Sequence, residues 1–246
     1  MPKGISEEAF AALHRFRGDA SPKPRGQTTD LAGGRAYLSL PDGAFPPLPG
    51  VVVVHEWWGL NDHVRHFADR IAAEGYAALA VDLYAGKSTM EPDEAMRLMK
   101  AVDPAAARQL LLAAHRFLAG DERVRAPRRA VIGWCFGGAM ALQLALAAPD
   151  LDACVLYYGR PVTDVAEVKK IRARVLGVFG TRDPSIPGDS VDAFERALLD
   201  AGTVHEIHRY DAEHAFANPS SPRYDEDAAN DAWSRVRAFL DRALRR

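Results

Sequence analysis

The segment Gly133-Trp-Cys-Phe-Gly137 constrains this chain more than any other. It follows the apolar run Arg129-Ala-Val-Ile132 and leads into a helical pattern from Gly138 to Ala148. That succession reads as a strand, a sharp turn and a helix, with Cys135 at the turn. Flanking glycines suit a turn whose backbone is strained and a helix that must pass close to the strand. The turn lifts the Cys135 side chain out of the sheet and sets it at a helix N-terminus, where the macrodipole favours a thiolate. Taken alone, the segment fits two readings: an exposed nucleophile, or a small residue buried in a βα loop.

Strand and helix signals alternate along the rest of the chain. Apolar runs at Ala36–Leu40, Val51–His55, Ala77–Val81, Ala153–Tyr157, Arg174–Gly180 and Val204–Tyr210 read as strands. Val51-Val-Val-Val54 is apolar throughout, as a strand covered on both faces requires. Helical patterns fall at Asp62–Glu74, Pro92–Met99, Pro104–Leu118, Val191–Ala201 and Asp225–Leu244. Two open with proline and one closes at Gly75. The expected fold class is α/β: a mostly parallel, doubly wound sheet with helices on both faces, in a single domain over residues 31–246. Residues 1–30 read as an N-terminal arm and linker, an amphipathic piece at Ser6–Phe16 followed by a Pro/Gly/Ser-rich stretch. Packing on the core, covering a partner subunit and staying mobile are all open to that arm.

A doubly wound sheet gathers at one edge the loops that leave the carboxyl ends of its strands. Asp183 follows the Arg174–Gly180 run and His214 follows the Val204–Tyr210 run. The order nucleophile, acid, histidine is that of the α/β-hydrolases, whose elbow reads G-x-S-x-G; here cysteine stands in the serine position. The chemistry asks for these three types. A thiolate attacks an acyl carbon, histidine shuttles the proton, and aspartate holds the imidazole tautomer and stabilises the imidazolium. Asp211, three residues before His214, is an alternative orienting acid. His205 and His208 fall within a strand, His115 within a helix and His14 in the arm, while Cys154 reads as core.

A second constellation, His55-Glu-Trp-Trp-Gly-Leu-Asn61, follows the all-valine strand. With Val81-Asp-Leu-Tyr84, the Cys135 elbow and the Asp183 and His214 loops, it resembles the dienelactone hydrolase family from Val51 to the C-terminus. The resemblance implies a cysteine α/β-hydrolase that opens enol-lactones. It implies that Glu56 contacts the resting cysteine and is displaced when substrate arrives. A carboxylate beside a thiol keeps it protonated, so moving the carboxylate frees the thiolate. The other reading of Glu56 is a cap for the helix at Asn61-Asp62. Backbone N–H groups of Trp57 and Phe136 form the expected oxyanion hole, and Trp58, Tyr84, Lys87 and Phe216 the expected substrate contacts. The family also has two arginines that bind a substrate carboxylate; Gly86 and Asn218 stand at those positions. Lys87 offers a point charge without the bidentate fork. Asp82 reads as a carboxylate bonding local backbone amides.

The net charge is −2, which implies no nucleic-acid partner and no attraction to an acidic membrane surface. Only two cysteines are present, so a disulfide framework is not expected and a reducing, cytoplasmic setting is. No apolar stretch approaches membrane-spanning length, and Met1–Glu8 has no signal core. No cofactor or metal is expected, since there is no C-x-x-C and no second soft ligand near Cys135. The expected partner is a small-molecule ester or lactone, cleaved through a Cys-His-Asp triad and a thioester; oligomeric state is left open. The alternatives are a binding protein on a silent hydrolase scaffold and a thiol redox or metal protein.

Overall fold

The computed structural model describes residues 4–15 and 23–245. Its sheet is built from β1 (Gln27–Leu31), β2 (Gly34–Ser39), β3 (Gly50–Val54), β4 (Ala77–Val81), β5 (Arg129–Trp134), β6 (Ala153–Tyr157), β7 (Arg174–Gly180) and β8 (His205–Tyr210). These eight strands lie in the spatial order β1-β2-β4-β3-β5-β6-β7-β8. β1 and β2 form an antiparallel hairpin, β2 runs antiparallel to β4, and every later pairing is parallel. The helices are α1 (Glu7–Arg15), α2 (Asp62–Ala73), α3 (Pro92–Ala101), α4 (Pro104–Gly120), α5 (Phe136–Ala147), α6 (Val165–Val168), α7 (Gly188–Asp200) and α8 (Glu226–Leu244).

The period-2 alternation of a strand sorts β3 between two cores. Val51 and Val53 join Phe67 and Ile71 of α2, Trp233 and Phe239 of α8, and Phe10 of α1. Val52 and Val54 face the other way, onto Leu111 and Leu118 of α4, Leu142 of α5 and Phe194 of α7. All four valines are fully buried, so β3 stabilises both layers at once. Each such side chain contributes about 1.5–3 kcal/mol relative to an exposed one. Helix starts follow local chemistry: Asn61, Asp103 and Asp225 each accept a hydrogen bond from the backbone N–H three residues on.

Two elements have no counterpart in the sequence reading. α6 is a single turn capped by Asp164. β1 is an edge strand with one apolar residue, so burial leaves little pattern to read. It joins β2 through a two-residue turn at Ala32-Gly33, where Gly33 takes the positive φ of 96° that the turn requires. The stretch read as linker therefore yields its last residues to the sheet.

The arm itself packs on the core. Phe10 is fully buried, its ring 4.4 Å from that of Phe67. Glu7 pairs with Arg70 at 2.7 Å, both side chains almost completely buried. The Arg70 guanidinium lies 4.5 Å from the Phe10 ring centre and 4.2 Å from that of Trp233. The side chain of His14, Phe16 and the stretch 16–22 lie outside the described residues. Among the described residues no helix is long and apolar enough to cross a membrane.

Candidate active site

Cys135 caps α5 with φ 54° and ψ −118°, a left-handed conformation for a residue with a side chain. Its N–H donates to the carbonyl of Tyr157 at the end of β6 (3.0 Å). A Cβ at Gly133 would collide with the Gly137 carbonyl, and one at Gly137 with the carbonyls of Val54 and His55. The two glycines thus let the elbow close on the end of β3. Five residues other than glycine have positive φ among those described. Four of them, Ala85, Cys135, Tyr158 and Ala215, follow β4, β5, β6 and β8 on this same edge.

Asp183 and His214 meet at this edge, with His214 Nδ1 2.5 Å from Asp183 Oδ2. The other carboxylate oxygen of Asp183 accepts from the N–H groups of Ser185 and Ile186 (2.7 and 3.3 Å). Burial would raise this carboxyl, but hydrogen bonding and charge from His214 hold it below its ordinary value. Burial would likewise lower His214; hydrogen bonds to Asp183 and then Cys135 overcome it and raise the imidazole to about 10. Asp211 is engaged elsewhere: its exposed carboxylate sits 3.1 Å from Arg182 Nε. The structure therefore brings Cys135, His214 and Asp183 together and leaves Asp211 outside.

Glu56 is buried next to them. Its two oxygens accept from Asn218 Nδ2 at 2.6 Å and Tyr158 Oη at 3.3 Å, and it makes no hydrogen bond to Cys135. The bond from Asn218 is the shorter of the two. Burial raises the Glu56 carboxyl, opposed by Asn218, His214 and Tyr158. The helix cap of the second reading belongs to the Asn61 side chain instead. A small cavity of about 10 Å³ lies behind Glu56, walled by Val64, Phe67, Trp134 and Asn218.

The remaining predicted residues divide. Trp57 and Trp58 are half-buried, ring centres 4.7 Å apart. Neither the Trp57 nor the Phe136 backbone N–H donates to an acceptor among the described residues. The Tyr84 hydroxyl is buried without a partner and is raised by burial and then by Cys135. Lys87 is exposed; the Glu94 carboxyl is held below its ordinary value by Arg97 and, least of all, by Lys87. Phe216 is fully buried between Tyr158 and Tyr210, in the core behind His214. Gly86 is exposed at φ 87°, and Asp82 accepts from the backbone N–H groups of Tyr84 and Gly86. His115 bonds Asp150, His205 bonds the Thr203 carbonyl, and His208 faces Glu206. Cys154 is buried within β6, its thiol pushed up to about 12 by desolvation. Tyr158 was not singled out from the sequence, although its place just past β6 marks it by the strand-end rule.

The strand order, with an antiparallel hairpin at one edge and helices on both faces, defines an α/β-hydrolase. Within that class the model of the dienelactone hydrolase family matches residues 35–244, and the chain belongs to this family of carboxylic ester hydrolases. Residues before Arg35, α1 and β1 included, lie outside the match. A protein of Saccharolobus solfataricus that carries the provisional name carboxymethylenebutenolidase is 30% identical, covering 85% of this chain and 93% of its own. A provisionally named dienelactone hydrolase structure from Klebsiella pneumoniae is 33% identical with a TM-score of 0.76, covering 84% of this chain and 92% of its own. A dienelactone hydrolase-like promiscuous phosphotriesterase from metagenomic libraries superposes with a TM-score of 0.82 at 26% identity, covering 89% and 98%.

Proposed function

We propose that this protein hydrolyses carboxylic esters or lactones by covalent catalysis, with Cys135 as nucleophile, His214 as proton carrier and Asp183 as the group that orients it. The observation that carries this reading is the 2.5 Å bond between His214 and Asp183, on an imidazole that Cys135 also raises. His214 takes the Cys135 thiol proton as the sulfur attacks the acyl carbon, and the carbonyl oxygen becomes an oxyanion facing the N–H groups of Trp57 and Phe136. Collapse breaks the C–O bond, and the leaving oxygen takes the proton from His214. Neutral His214 then takes a proton from water, whose hydroxide attacks the thioester; the C–S bond breaks, the acid leaves, and His214 returns its proton to the Cys135 sulfur. In a lactone the leaving oxygen stays tethered to the acyl group. Two preorganised donors lower the barrier by about 2.7–4 kcal/mol each.

Glu56 sits as the carboxylate that substrate binding moves, held by Asn218 and Tyr158 in the conformation seen here. Trp57, Trp58 and Tyr84 form the wall for the acyl group. With glycine at 86 and Asn218 turned to Glu56, we assign neutral esters and lactones rather than carboxylate-bearing ones. Two unpaired cysteines support a reducing cytoplasm as the setting. The test is turnover of aryl esters and neutral lactones by wild type and Cys135→Ala, with mass spectrometry of the acyl adduct. A wild type that binds these compounds without turning any over would instead favour a silent binding scaffold.

A further inference from the structure

We propose that His55 is a positioning residue that holds the Glu56–Trp57 peptide so that the Trp57 N–H faces the oxyanion. The proposal rests on the reading of Trp57 as an oxyanion donor given above.

The tautomer of His55 follows from its contacts. Its Nε2 lies 3.1 Å from the backbone nitrogen of Leu83, and a backbone N–H can only donate. Nε2 is therefore the acceptor, and the ring proton sits on Nδ1. Nδ1 lies 2.5 Å from the Glu56 carbonyl oxygen, to which it donates. Both bonds need a neutral ring, and complete burial lowers the imidazole in that direction, against smaller upward contributions from the Glu56 carbonyl and Asp82.

The Glu56 carbonyl and the Trp57 N–H belong to one peptide unit, and that unit is trans. In a trans peptide the C=O and N–H point in opposite directions. The oxygen is held by the short bond from His55 and a longer one, 3.4 Å, from the Gly59 N–H, and fixing it there fixes the Trp57 N–H on the far side. Rotating this peptide over would break the Nδ1 bond and leave a buried ring N–H without an acceptor. The same ring meets the second donor's residue: its centre is 6.0 Å from that of Phe136, and it packs edge-on against Tyr84 at 4.7 Å. His55 thereby registers both donor-bearing loops against the end of β4.

A purely structural role would act through the Leu83 bond, which ties the loop after β3 to the loop after β4. Two substitutions separate these roles. The amide nitrogen of asparagine is attached at Cγ, as Nδ1 is, and can still donate to the Glu56 carbonyl. Glutamine reaches one bond further and replaces the Nε2 acceptor for Leu83, losing the donor to Glu56. His55→Asn is expected to keep kcat on an aryl ester within severalfold of wild type. His55→Gln is expected to lower kcat about 10²–10³-fold with KM nearly unchanged, the cost of one oxyanion donor. Affinity for a reversible aldehyde inhibitor, whose thiohemiacetal oxygen occupies the same place, should fall in step. Alkylation of Cys135 by iodoacetamide develops no oxyanion and should not change.

An active His55→Gln beside an impaired His55→Asn would overturn the proposal, as would equal losses in both with aldehyde affinity intact. Nitrogen-15 NMR of histidine-labelled wild type gives a test that does not depend on either variant folding. A proton on Nδ1 of His55 is expected, and a proton on Nε2 overturns the bond on which everything here depends. Wild type and Cys135→Ala are assayed alongside. Failure of their contrast sinks the hydrolase reading, whereas a normal contrast with unaltered His55 variants sinks only this one.

Discussion

Asn218 donates its side-chain amide to Glu56 Oε2 at 2.6 Å, at a position where the family resemblance leads one to expect an arginine reaching for substrate. The amide nitrogen is used on a neighbouring carboxylate, and Asn218 is itself buried, its Oδ1 accepting from the Ser220 N–H. In Asn218→Ala the buried carboxylate keeps only the longer bond from Tyr158. A carboxyl raised by burial contributes stability that is full below its unfolded value near 4.5 and is lost as pH rises through its folded value. Loss of Asn218 moves that folded value further up. The stability gap between Asn218→Ala and wild type should be smaller near pH 4 than at pH 8, growing by about 1–3 kcal/mol as the carboxyl ionises. Thermal melts across that range check it, and a constant gap would reduce Asn218 to packing.

Cys135→Ala and His214→Ala should each lower ester turnover by several orders of magnitude while the melting temperature stays close to wild type. Asp183→Asn should also be severe, about 10⁴-fold, because it disturbs the tautomer. Asp211→Asn should be mild, since that carboxylate is exposed and faces Arg182. Initial rates on one activated ester rank all four, and an inverted order of the two aspartates would move the acid role to Asp211.

His214 is raised from 6.5 to about 10, so the folded state holds its proton more tightly than the unfolded chain does. Its contribution to stability is therefore full below about pH 6.5 and is lost as pH rises from there through about 10. Wild-type melting temperature should decline over that window, and His214→Gln should flatten the decline. In Asp183→Asn the alkaline limb of kcat/KM should shift to lower pH, because one of the bonds that raise His214 is gone.

Substrate choice follows from Gly86 and Asn218. Without a bidentate cation, recognition of a substrate carboxylate forgoes about 1.5–3 kcal/mol, roughly ten- to a hundredfold. We expect kcat/KM for a neutral lactone to equal or exceed that for dienelactone. A strong preference for dienelactone that vanishes in Lys87→Ala would give the anion site to Lys87.

Glu7→Gln should destabilise the protein by about 3–5 kcal/mol, because it leaves Arg70 charged, buried and without its counterion. The double variant Glu7→Gln/Arg70→Met should recover much of that loss. Urea titrations of the single and double variants measure the coupling, and additive losses would show that the pair is energetically silent.

The parts of this fold legible in the chain are those whose cause is local. Val51–Val54 announces a strand buried on both sides, Pro92 and Pro104 announce helix starts, and Gly133 and Gly137 announce a close approach of helix to strand. Cys135, Asp183 and His214 could be gathered because each ends a recognisable strand and the topology brings such ends together. β1 escaped because an edge strand buries little and carries no pattern. The partnership of Asn218 with Glu56 escaped for another reason: it joins residues 162 apart, and nothing near either one reports the other. The ring contacts of His55 are hidden in the same way, since a histidine at the end of an apolar strand does not reveal which nitrogen is held.

The left-handed backbone at Cys135 costs on the order of 1–3 kcal/mol, borne by the surrounding sheet. That cost belongs to the main chain and is the same for any residue with a Cβ. Sulfur, hydroxyl or bare methyl at position 135 would sit on one unchanged pedestal. A substitution at position 135 therefore changes the chemistry presented at the turn and leaves the main-chain cost of presenting it where it was.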